Sequence, residues 1–351
     1  SSDAAISRFS QSMNERLTTI AADLLFFGLE LNRLEEKDLA AKLQDPALAH
    51  WQPYLRDVRM YRDHQLSDEV EKVFLEKSVT GAQAWCRLFD ETIAALRVTL
   101  DGREMTVGEA LNRLSDTERS VREQAGKAVG AVFNTNLRLF SLITNTLAKD
   151  KSIADGLRHY ARPTSSRNLS NMVEDEVVDA LVSAVKTDYP RLSHRYYALK
   201  ARWMGLDKLE HWDRNAPLPG SDERAIPWAE AKEIVQKAYD GFDPRLGSII
   251  NTFLSNPWID APPVPGKSPG AFAHPTVPSA HPYILLNYHG RIRDVMTLAH
   301  ELGHGVHQVL AARQGYLMSD TPLTLAETAS VFGEMLTFRS LLDAQTDPQR
   351  R

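Results

Sequence analysis

The sequence predicts a mainly α fold with a small β element near the C-terminal end. Apolar residues recur at helical spacing from residue 5 to about 255, in stretches rich in Ala, Leu, Glu and Arg with few helix breakers. Eight of the eighteen prolines fall between Pro257 and Pro282, which predicts a loop there. Helical periodicity resumes behind this loop, so the β element is expected between the loop and the last helices.

The composition narrows the class of protein. The 351 residues are 43% hydrophobic and 25% charged, as in ordinary globular proteins. Lys and Arg number 41 and Asp and Glu 46, and the formal net charge of -5 argues against a nucleic-acid partner. The single cysteine, Cys86, excludes an internal disulfide and is expected to be a small buried hydrophobe. No apolar run is long enough to cross a membrane, and we expect a cytoplasmic protein.

Capping boxes predict two helix starts before the loop. Thr106 with Glu109, and Ser115 with Glu118, fit the pattern in which each side chain satisfies the other residue's backbone amide. Helices are therefore expected to begin near residues 107 and 116.

A short strand and two long helices are predicted behind the proline-rich loop. Residues 283–288 are aromatic or aliphatic with one Asn, and His289-Gly290 provides a turn after them. One helix is predicted from about Asp294 to Ala312, with Gly315 as its stop, and another from about Pro322 to Asp343. The strand therefore precedes the first of these helices directly.

Histidines are concentrated in this part of the chain, with six of the eleven inside residues 274–307. His300-Glu301-Leu302-Gly303-His304 forms the HExxH pattern within the first predicted helix. Residues four apart project from one face of a helix, so His300 and His304 can bind one zinc ion. Glu301 lies about 100° around the helix from His300, where its carboxylate can act as a general base on water.

A third ligand is expected in the second helix, because catalytic zinc sites usually have three protein ligands. The metzincin continuation requires a glycine at position 307 and a histidine at position 310, but His307 and Leu310 stand there. Glu327 is the candidate, since a helix start at Pro322 places it in the second turn, where capping does not need it. Glu334 is either a rival ligand or a carboxylate that orients an imidazole.

These residues resemble the oligoendopeptidase F branch of the thimet oligopeptidase family. The resemblance rests on the HExxH segment, on Pro282–Asn287 before it and on Glu327–Ser330 behind it. Upstream stretches that also match are 24–31, 167–171, 196–200 and 212–218. The resemblance implies a helical, zincin-like metallopeptidase with two lobes around a channel that admits short unfolded peptides. We expect a helical N-terminal lobe over 1–195 and a zinc-bearing catalytic lobe over 196–351.

The resemblance also implies a cofactor and a substrate site. One zinc ion per active site would be bound by His300, His304 and Glu327, with Glu301 as the catalytic base. The family has a substrate-binding strand and a glycine-rich stretch beside the zinc helix. These map onto Tyr283, Ile284, Leu285, Leu286 and Asn287, and onto Gly270, Ala271 and Phe272. We expect the segment from Tyr283 to Tyr288 to pair with an extended peptide through free backbone groups.

The expected function is a zinc metalloendopeptidase that hydrolyses internal peptide bonds of oligopeptides. The alternatives are a zinc carboxypeptidase or dipeptidase on the same site and a non-catalytic helical binding module. In the family, tyrosine and histidine side chains beyond the third ligand polarise the scissile carbonyl, but neither residue type follows Tyr316 here. The apolar segment 331–338 also lacks a partner surface in the sequence. We therefore expect a companion C-terminal polypeptide that completes the fold and the channel.

Overall fold

A computed structural model describes residues 4–220 and 224–346 of the chain. It is 69% helix and 5% strand, which confirms the predicted mainly α fold. The described residues divide into two compact units. The first unit comprises the described residues up to Val98 and Gly130–Asp179. The second unit comprises Thr99–Val129 and the described residues from Ala180 onward. The lobe boundary expected between residues 195 and 196 stays a prediction.

Helices dominate the chain before the proline-rich loop. In chain order they are α1 (Ala4–Arg33), α2 (Glu36–Lys42), α3 (Gln52–Arg59), α4 (Asp68–Lys77), α5 (Ala82–Ala95), α6 (Val107–Asn112), α7 (Arg119–Thr135), α8 (Leu137–Leu157), α9 (Ser165–Ser170), α10 (Asp175–Asp188) and α11 (Arg195–Trp203). Cys86 lies on the solvent side of α5 next to the exposed Arg87, so its predicted burial is wrong.

One of the two predicted helix starts is confirmed. Thr106 caps α6, because its hydroxyl accepts from the Glu109 amide at 3.2 Å and the Glu109 carboxylate accepts from the Thr106 amide at 2.7 Å. The other start is wrong by three residues, since α7 begins at Arg119. Asp116 explains the difference, because its carboxylate accepts from the Glu118 amide at 3.0 Å in place of a Ser115 cap.

The second unit contains the helices α12 (Trp228–Phe242), α13 (Pro244–Ser255), α14 (Ile292–Ala311) and α15 (Leu323–Ala344). The predicted bounds of the last two are confirmed to within two residues. α14 ends in a short 3-10 turn, after which Gly315 adopts a φ of 82° that favours glycine. Pro322 is the N-cap of α15 and not its first residue.

The strands are short. β1 (Arg97–Leu100) pairs with β2 (Arg103–Thr106), and a separate mixed sheet has the order β3-β5-β4. In this sheet β3 (Ile259–Asp260) is parallel to β5 (Tyr283–Leu285), and β4 (Phe272–His274) is antiparallel to β5. The strand predicted over 283–288 is therefore present but shorter, whereas β3 and β4 lie where only loop was predicted.

The core of the second unit lies between α12, α13, α14 and the mixed sheet. Its fully buried large side chains are Tyr239, Phe253, Ile250, Ile284, Leu286, Leu298 and Leu302. On α14 the buried apolar residues follow helical spacing at Val295, Leu298, Ala299, Leu302 and Val306. Because this face of α14 packs into the core, residues 300 and 304 lie on a different side of the helix.

A buried ion cluster connects the start of α7 to the segment before α12. Asp213 is fully buried and accepts from Arg122 at 2.9 Å and from Arg119 at 3.0 Å. Arg122 also donates to the carbonyls of Asp116 and Thr117. Burial raises the pKa of Asp213, but the hydrogen bonds from the two guanidinium groups outweigh it and hold the pKa below the usual value.

Candidate metal centre

α15 packs directly against α14. Its buried residues are Ser330, Gly333 and Thr337, which recur every three or four positions along one side of the helix. All three are small, so the two helix backbones lie close together. The side chains on the adjoining turns of α14 and α15 therefore reach one another across a narrow gap.

Three ligand atoms meet across this gap. Oε2 of Glu327 lies 3.3 Å from Nε2 of His300 and 3.6 Å from Nε2 of His304. Zinc–ligand bonds of about 2.0 to 2.2 Å place tetrahedral ligands about 3.3 to 3.5 Å apart. Within the described part of the chain, these three residues form a group of His and Glu side chains whose ligand atoms lie close enough together to share one metal ion.

The hydrogen bond on the far side of His300 fixes its tautomer. Nδ1 of His300 lies 3.3 Å from Oε2 of Glu334, and an ionised carboxylate only accepts hydrogen bonds, so this nitrogen donates. In that tautomer Nε2 directs its lone pair at the Glu327 carboxylate. Two acceptors at 3.3 Å repel each other unless a cation or a proton lies between them. The donor set therefore fits a bound zinc ion.

The two acidic residues of α15 occupy different places. Glu327 faces both imidazoles, whereas Glu334 contacts only the outer nitrogen of His300. Of the two sequence-based interpretations of Glu334, this position favours the carboxylate that orients an imidazole. The Glu327 side chain is 50% exposed, so the side of the site away from the core is open.

His304 is held by its surroundings as a neutral ring. Burial lowers its pKa, although the nearby Glu327 carboxylate and a backbone hydrogen bond to Ala326 oppose this effect. A neutral imidazole is the form that can bind a metal ion.

Glu301 lies beside this group and is 6% exposed. Burial is the main cause that raises the pKa of Glu301 to about 7. The nearby His300 works against this rise, and the negative charge of Glu327 adds to it. Its Oε2 atom is buried and has no hydrogen-bond partner among the described residues. A carboxylate with an unused lone pair and a pKa near neutrality can accept a proton from water.

The expectation that β5 offers free backbone groups to a peptide is wrong. Ile284 donates to the Trp258 carbonyl at 2.9 Å and Leu286 donates to the Asp260 carbonyl at 2.8 Å, both toward β3. The alternate residues face β4, which pairs with the other edge. β5 is therefore the middle strand of the sheet. The sequence did not show this, because β3 and β4 come from a segment whose prolines predicted only loop.

β4 is one of the two edge strands of this sheet. Ile284 turns its backbone groups toward β3, so its partner Ala273 turns its own away from β5. Gln308 of α14 donates to the Ala273 carbonyl at 3.2 Å, which connects this edge to the helix that carries the histidines.

The remaining residues that were mapped as substrate-binding have different surroundings. Ile284 and Leu286 are buried in the core, whereas Tyr283 and Phe272 are exposed. The Asn287 side chain donates to the carbonyls of Ser268 and Gly270, so it holds the glycine-containing stretch next to β4. Their role in binding a substrate stays a prediction.

Family models match most of the chain. The model described as peptidase family M3 matches residues 113–351, and the model described as oligopeptidase F matches residues 30–97. The chain belongs to peptidase family M3. This confirms the resemblance to the oligoendopeptidase F branch that the sequence motifs indicated.

Curated relatives of this chain are also named oligopeptidases. The chain is 28% identical over 360 aligned positions to oligopeptidase PepF of Bacillus subtilis, covering 98% of this chain and 53% of the relative. It is 25% identical to group B oligopeptidase PepB of Streptococcus agalactiae, covering 93% of this chain and 55% of the relative. The chain thus spans about half the length of the curated relatives it matches.

Solved structures share the fold. A complex of PZ peptidase A with an inhibitor matches with a TM-score of 0.79 at 16% identity, covering 97% of this chain and 59% of the other. Oligoendopeptidase F from Enterococcus faecium matches with a TM-score of 0.65 at 20% identity, covering 99% and 57%. Among the described residues, no helix combines the length and apolar character needed to cross a membrane.

Sequence reasoning missed one residue of the site. The Ser330 hydroxyl lies 2.8 Å from Oε2 of Glu327 and is fully buried. Its position three residues after Glu327 was the available signal, because residues three apart share a helix face.

Proposed function

We propose that this chain carries the active centre of a zinc metalloendopeptidase that hydrolyses internal peptide bonds of oligopeptides. The observation that supports it most is the separation of 3.3 and 3.6 Å between the Glu327 carboxylate and the two imidazoles. In this proposal His300, His304 and Glu327 hold one zinc ion, and Glu301 is the general base. Membership of peptidase family M3 agrees with a peptidase acting on oligopeptides.

The chemistry is divided between the metal and the protein. A bound zinc ion would polarise the scissile carbonyl and lower the pKa of water. Glu301 accepts the proton that the attacking water releases, because its Oε2 atom has no competing partner in the described structure. Glu334 accepts from Nδ1 of His300, which orients the ring so that its Nε2 atom points at Glu327.

The substrate backbone is proposed to pair with the outer edge of β4. Ala273 provides outward-facing backbone groups there, and an extended peptide can add to such an edge as a further strand. Gly270 and Ala271 precede β4 and Phe272 begins it, and this glycine-rich stretch is proposed to flank the bound substrate, as the resemblance implies. The exposed Phe272 and Tyr283 side chains flank the same region of the sheet.

Metal analysis of two variants, a double and a single one, tests the proposal. His300→Ala combined with His304→Ala should abolish stoichiometric zinc binding. Glu301→Gln should retain zinc but lose turnover of a quenched peptide by roughly 10²- to 10⁴-fold, because the amide keeps the shape but accepts no proton. Zinc lost together with activity in Glu301→Gln would make Glu301 a ligand. Full zinc occupancy in the double variant would refute the site.

A companion polypeptide is part of the proposal. α15 leaves large apolar side chains at the surface, with Phe332 42%, Met335 53% and Phe338 48% exposed. Exposed apolar patches of this kind mark interfaces, and the relatives are about twice as long as this chain. Residues that stabilise the oxyanion are proposed to come from that polypeptide, and the absence of one such donor costs roughly 10² to 10³ in rate.

Co-expression tests the companion. The chain should form a stable complex with the matching remainder of an M3 relative, gain turnover of at least about 10²-fold, and lose both with Phe338→Ser. A chain that is monomeric and as fast alone as a full-length relative would refute the companion. The setting is proposed to be the cytoplasm, where a protein with one cysteine does not depend on disulfides.

A further inference from the structure

Tyr239 reaches from α12 to the turn of α14 that carries His300. Its hydroxyl donates to the Ala299 carbonyl at 2.9 Å, and the residue is 1% exposed. Burial raises the pKa of Tyr239, which favours the protonated hydroxyl that donates this hydrogen bond. The hydrogen bond therefore fixes the backbone immediately before His300.

Gly333 of α15 provides the space for this hydroxyl. A Cβ atom on Gly333 would overlap the Tyr239 hydroxyl oxygen and would lie 2.9 Å from the Ala299 carbonyl oxygen. No real side chain tolerates such contacts, so a substitution must displace the buried Tyr239 side chain, α15 or α12. The hydroxyl, the carbonyl and the glycine thus form one tightly packed contact among three helices.

A second close contact lies one turn along the same pair of helices. A Cβ atom on Gly303 would lie 2.7 Å from the Ala329 carbonyl oxygen and 2.8 Å from Cα of Ser330. The partner at this point is helix backbone, which cannot turn aside as a flexible side chain can. The separation of α14 and α15 is therefore set at two consecutive turns.

These two contacts flank the candidate metal ligands. Ala299 and Gly303 adjoin His300 and His304 along α14. A shift of α15 by about 1 Å, less than the diameter of a methyl group, would move Glu327 outside the roughly 0.5 Å tolerance of a functional site. The fit of the ligand atoms to zinc thus depends on the separation of the helices.

We infer that Tyr239 is a positioning residue of the metal centre, which sets the His300 turn of α14 against α15 by occupying the recess at Gly333. This inference rests on the proposed zinc site. Tyr239 would touch neither metal nor substrate, and it would act through the Ala299 carbonyl and the helix separation.

Zinc affinity measured beside folding stability tests the role. The full chain is stripped of metal, and the Kd for zinc is measured by competition with a chelator, while the melting temperature of the metal-free protein reports stability. Tyr239→Phe keeps the ring and should weaken zinc binding roughly two- to tenfold through loss of one buried hydrogen bond. Gly333→Ala should weaken it more than tenfold, because its Cβ either displaces the Tyr239 hydroxyl from the Ala299 carbonyl or separates the helices.

Two further variants separate positioning from general destabilisation. Gly305→Ala is the matched control, since it lies on α14 but its Cβ would press on the Phe253 ring at 2.7 Å, away from α15. Gly305→Ala should lower the melting temperature but change the Kd for zinc less than Gly333→Ala does. Adding Tyr239→Phe to Gly333→Ala removes the overlapping oxygen, so the double variant should bind zinc more tightly than Gly333→Ala alone.

The outcomes distinguish this inference from the proposed function. If wild type binds zinc through His300 and His304 but Tyr239→Phe and Gly333→Ala change Kd no more than Gly305→Ala does, Tyr239 has only a structural role. The inference would also be overturned if the effects of Tyr239→Phe and Gly333→Ala on the free energy of zinc binding simply added in the double variant. If the wild-type chain binds no zinc, or binds it equally well without the two histidines, the proposed function fails as well. Cobalt in place of zinc adds a visible spectrum that reports ligand geometry in Tyr239→Phe.

Discussion

Replacing Ser330 with alanine should weaken zinc binding without unfolding the protein. The Ser330 hydroxyl lies 2.8 Å from Oε2 of Glu327 and 3.0 Å from the Glu327 backbone carbonyl, and Oε2 is the nearer acceptor and the atom that faces both imidazoles. Without the hydroxyl, the Glu327 side chain is free to rotate into solvent, since it is 50% exposed. Zinc binding would then have to order the Glu327 side chain, which costs conformational entropy.

The magnitude follows from the type of hydrogen bond. A hydrogen bond to a charged group contributes about 1.5 to 3 kcal/mol, and every 1.4 kcal/mol is tenfold in affinity. The partial exposure of Glu327 favours the lower end of this range, because water replaces part of the lost interaction. The expected loss of zinc affinity for Ser330→Ala is therefore about 10- to 30-fold.

Chelator competition on the metal-free chain measures this loss, and Thr328→Ala is the matched control. Thr328 lies on the same helix, but its exposed hydroxyl donates only to the Thr324 carbonyl at 3.2 Å. Its removal should leave the Kd for zinc unchanged. Glu327→Ala supplies the upper limit of the effect. If that variant loses zinc while Ser330→Ala binds it like wild type, the hydroxyl does not orient the ligand and the reasoning is wrong.

Two other predictions concern the outer nitrogen of His300 and the buried ion cluster. Glu334→Gln should weaken zinc binding about 10- to 100-fold as measured by the same competition, because a neutral amide replaces the carboxylate that accepts from Nδ1; an unchanged Kd would contradict this. Asp213→Asn should lower the free energy of unfolding by about 3 kcal/mol at pH 7, since it leaves Arg122 buried without its counter-charge. The folded-state pKa of Asp213 is below its ordinary value of 3.8, so this stabilisation is complete above that value and is lost progressively as the pH falls from 3.8 toward the folded-state pKa. Denaturant unfolding at pH 7 and pH 3 should therefore show a difference between the two proteins that shrinks in acid, and a constant difference would contradict the assignment.

The parts of the site that sequence predicted are those set by local geometry. His300 and His304 share a face because they are four residues apart in one helix, and the structure brings their nitrogens to a common point. Glu327 could be found because the helix start at Pro322 left it without a capping role. The bounds of α14 and α15 followed from proline, glycine and apolar spacing, which act over a few residues.

The parts that sequence missed depend on pairing between distant segments. β3 and β4 are two and three residues long, and their partner is β5 rather than their own neighbours in sequence. Nothing within Ile259–Asp260 or Phe272–His274 distinguishes a strand from extended loop. Ser115 failed as a cap for a similar reason, since Asp116 offered a competing acceptor one residue away. Tyr239 reaches Ala299 across 60 positions of sequence, which periodicity cannot show.

The edge of β4 also bears on pairing between two copies of this chain. An unpaired strand edge that accepts a peptide backbone accepts the edge of another copy equally well, and long flat edges lead to aggregation. β4 is three residues long, its outward carbonyl at Ala273 already accepts from Gln308, and the next residue, Pro275, has no amide hydrogen. A single short peptide can pair over this distance, whereas two copies of the protein gain too few hydrogen bonds to propagate a sheet. The same brevity that would limit how firmly the proposed peptide is held thus also limits pairing between two copies of the chain.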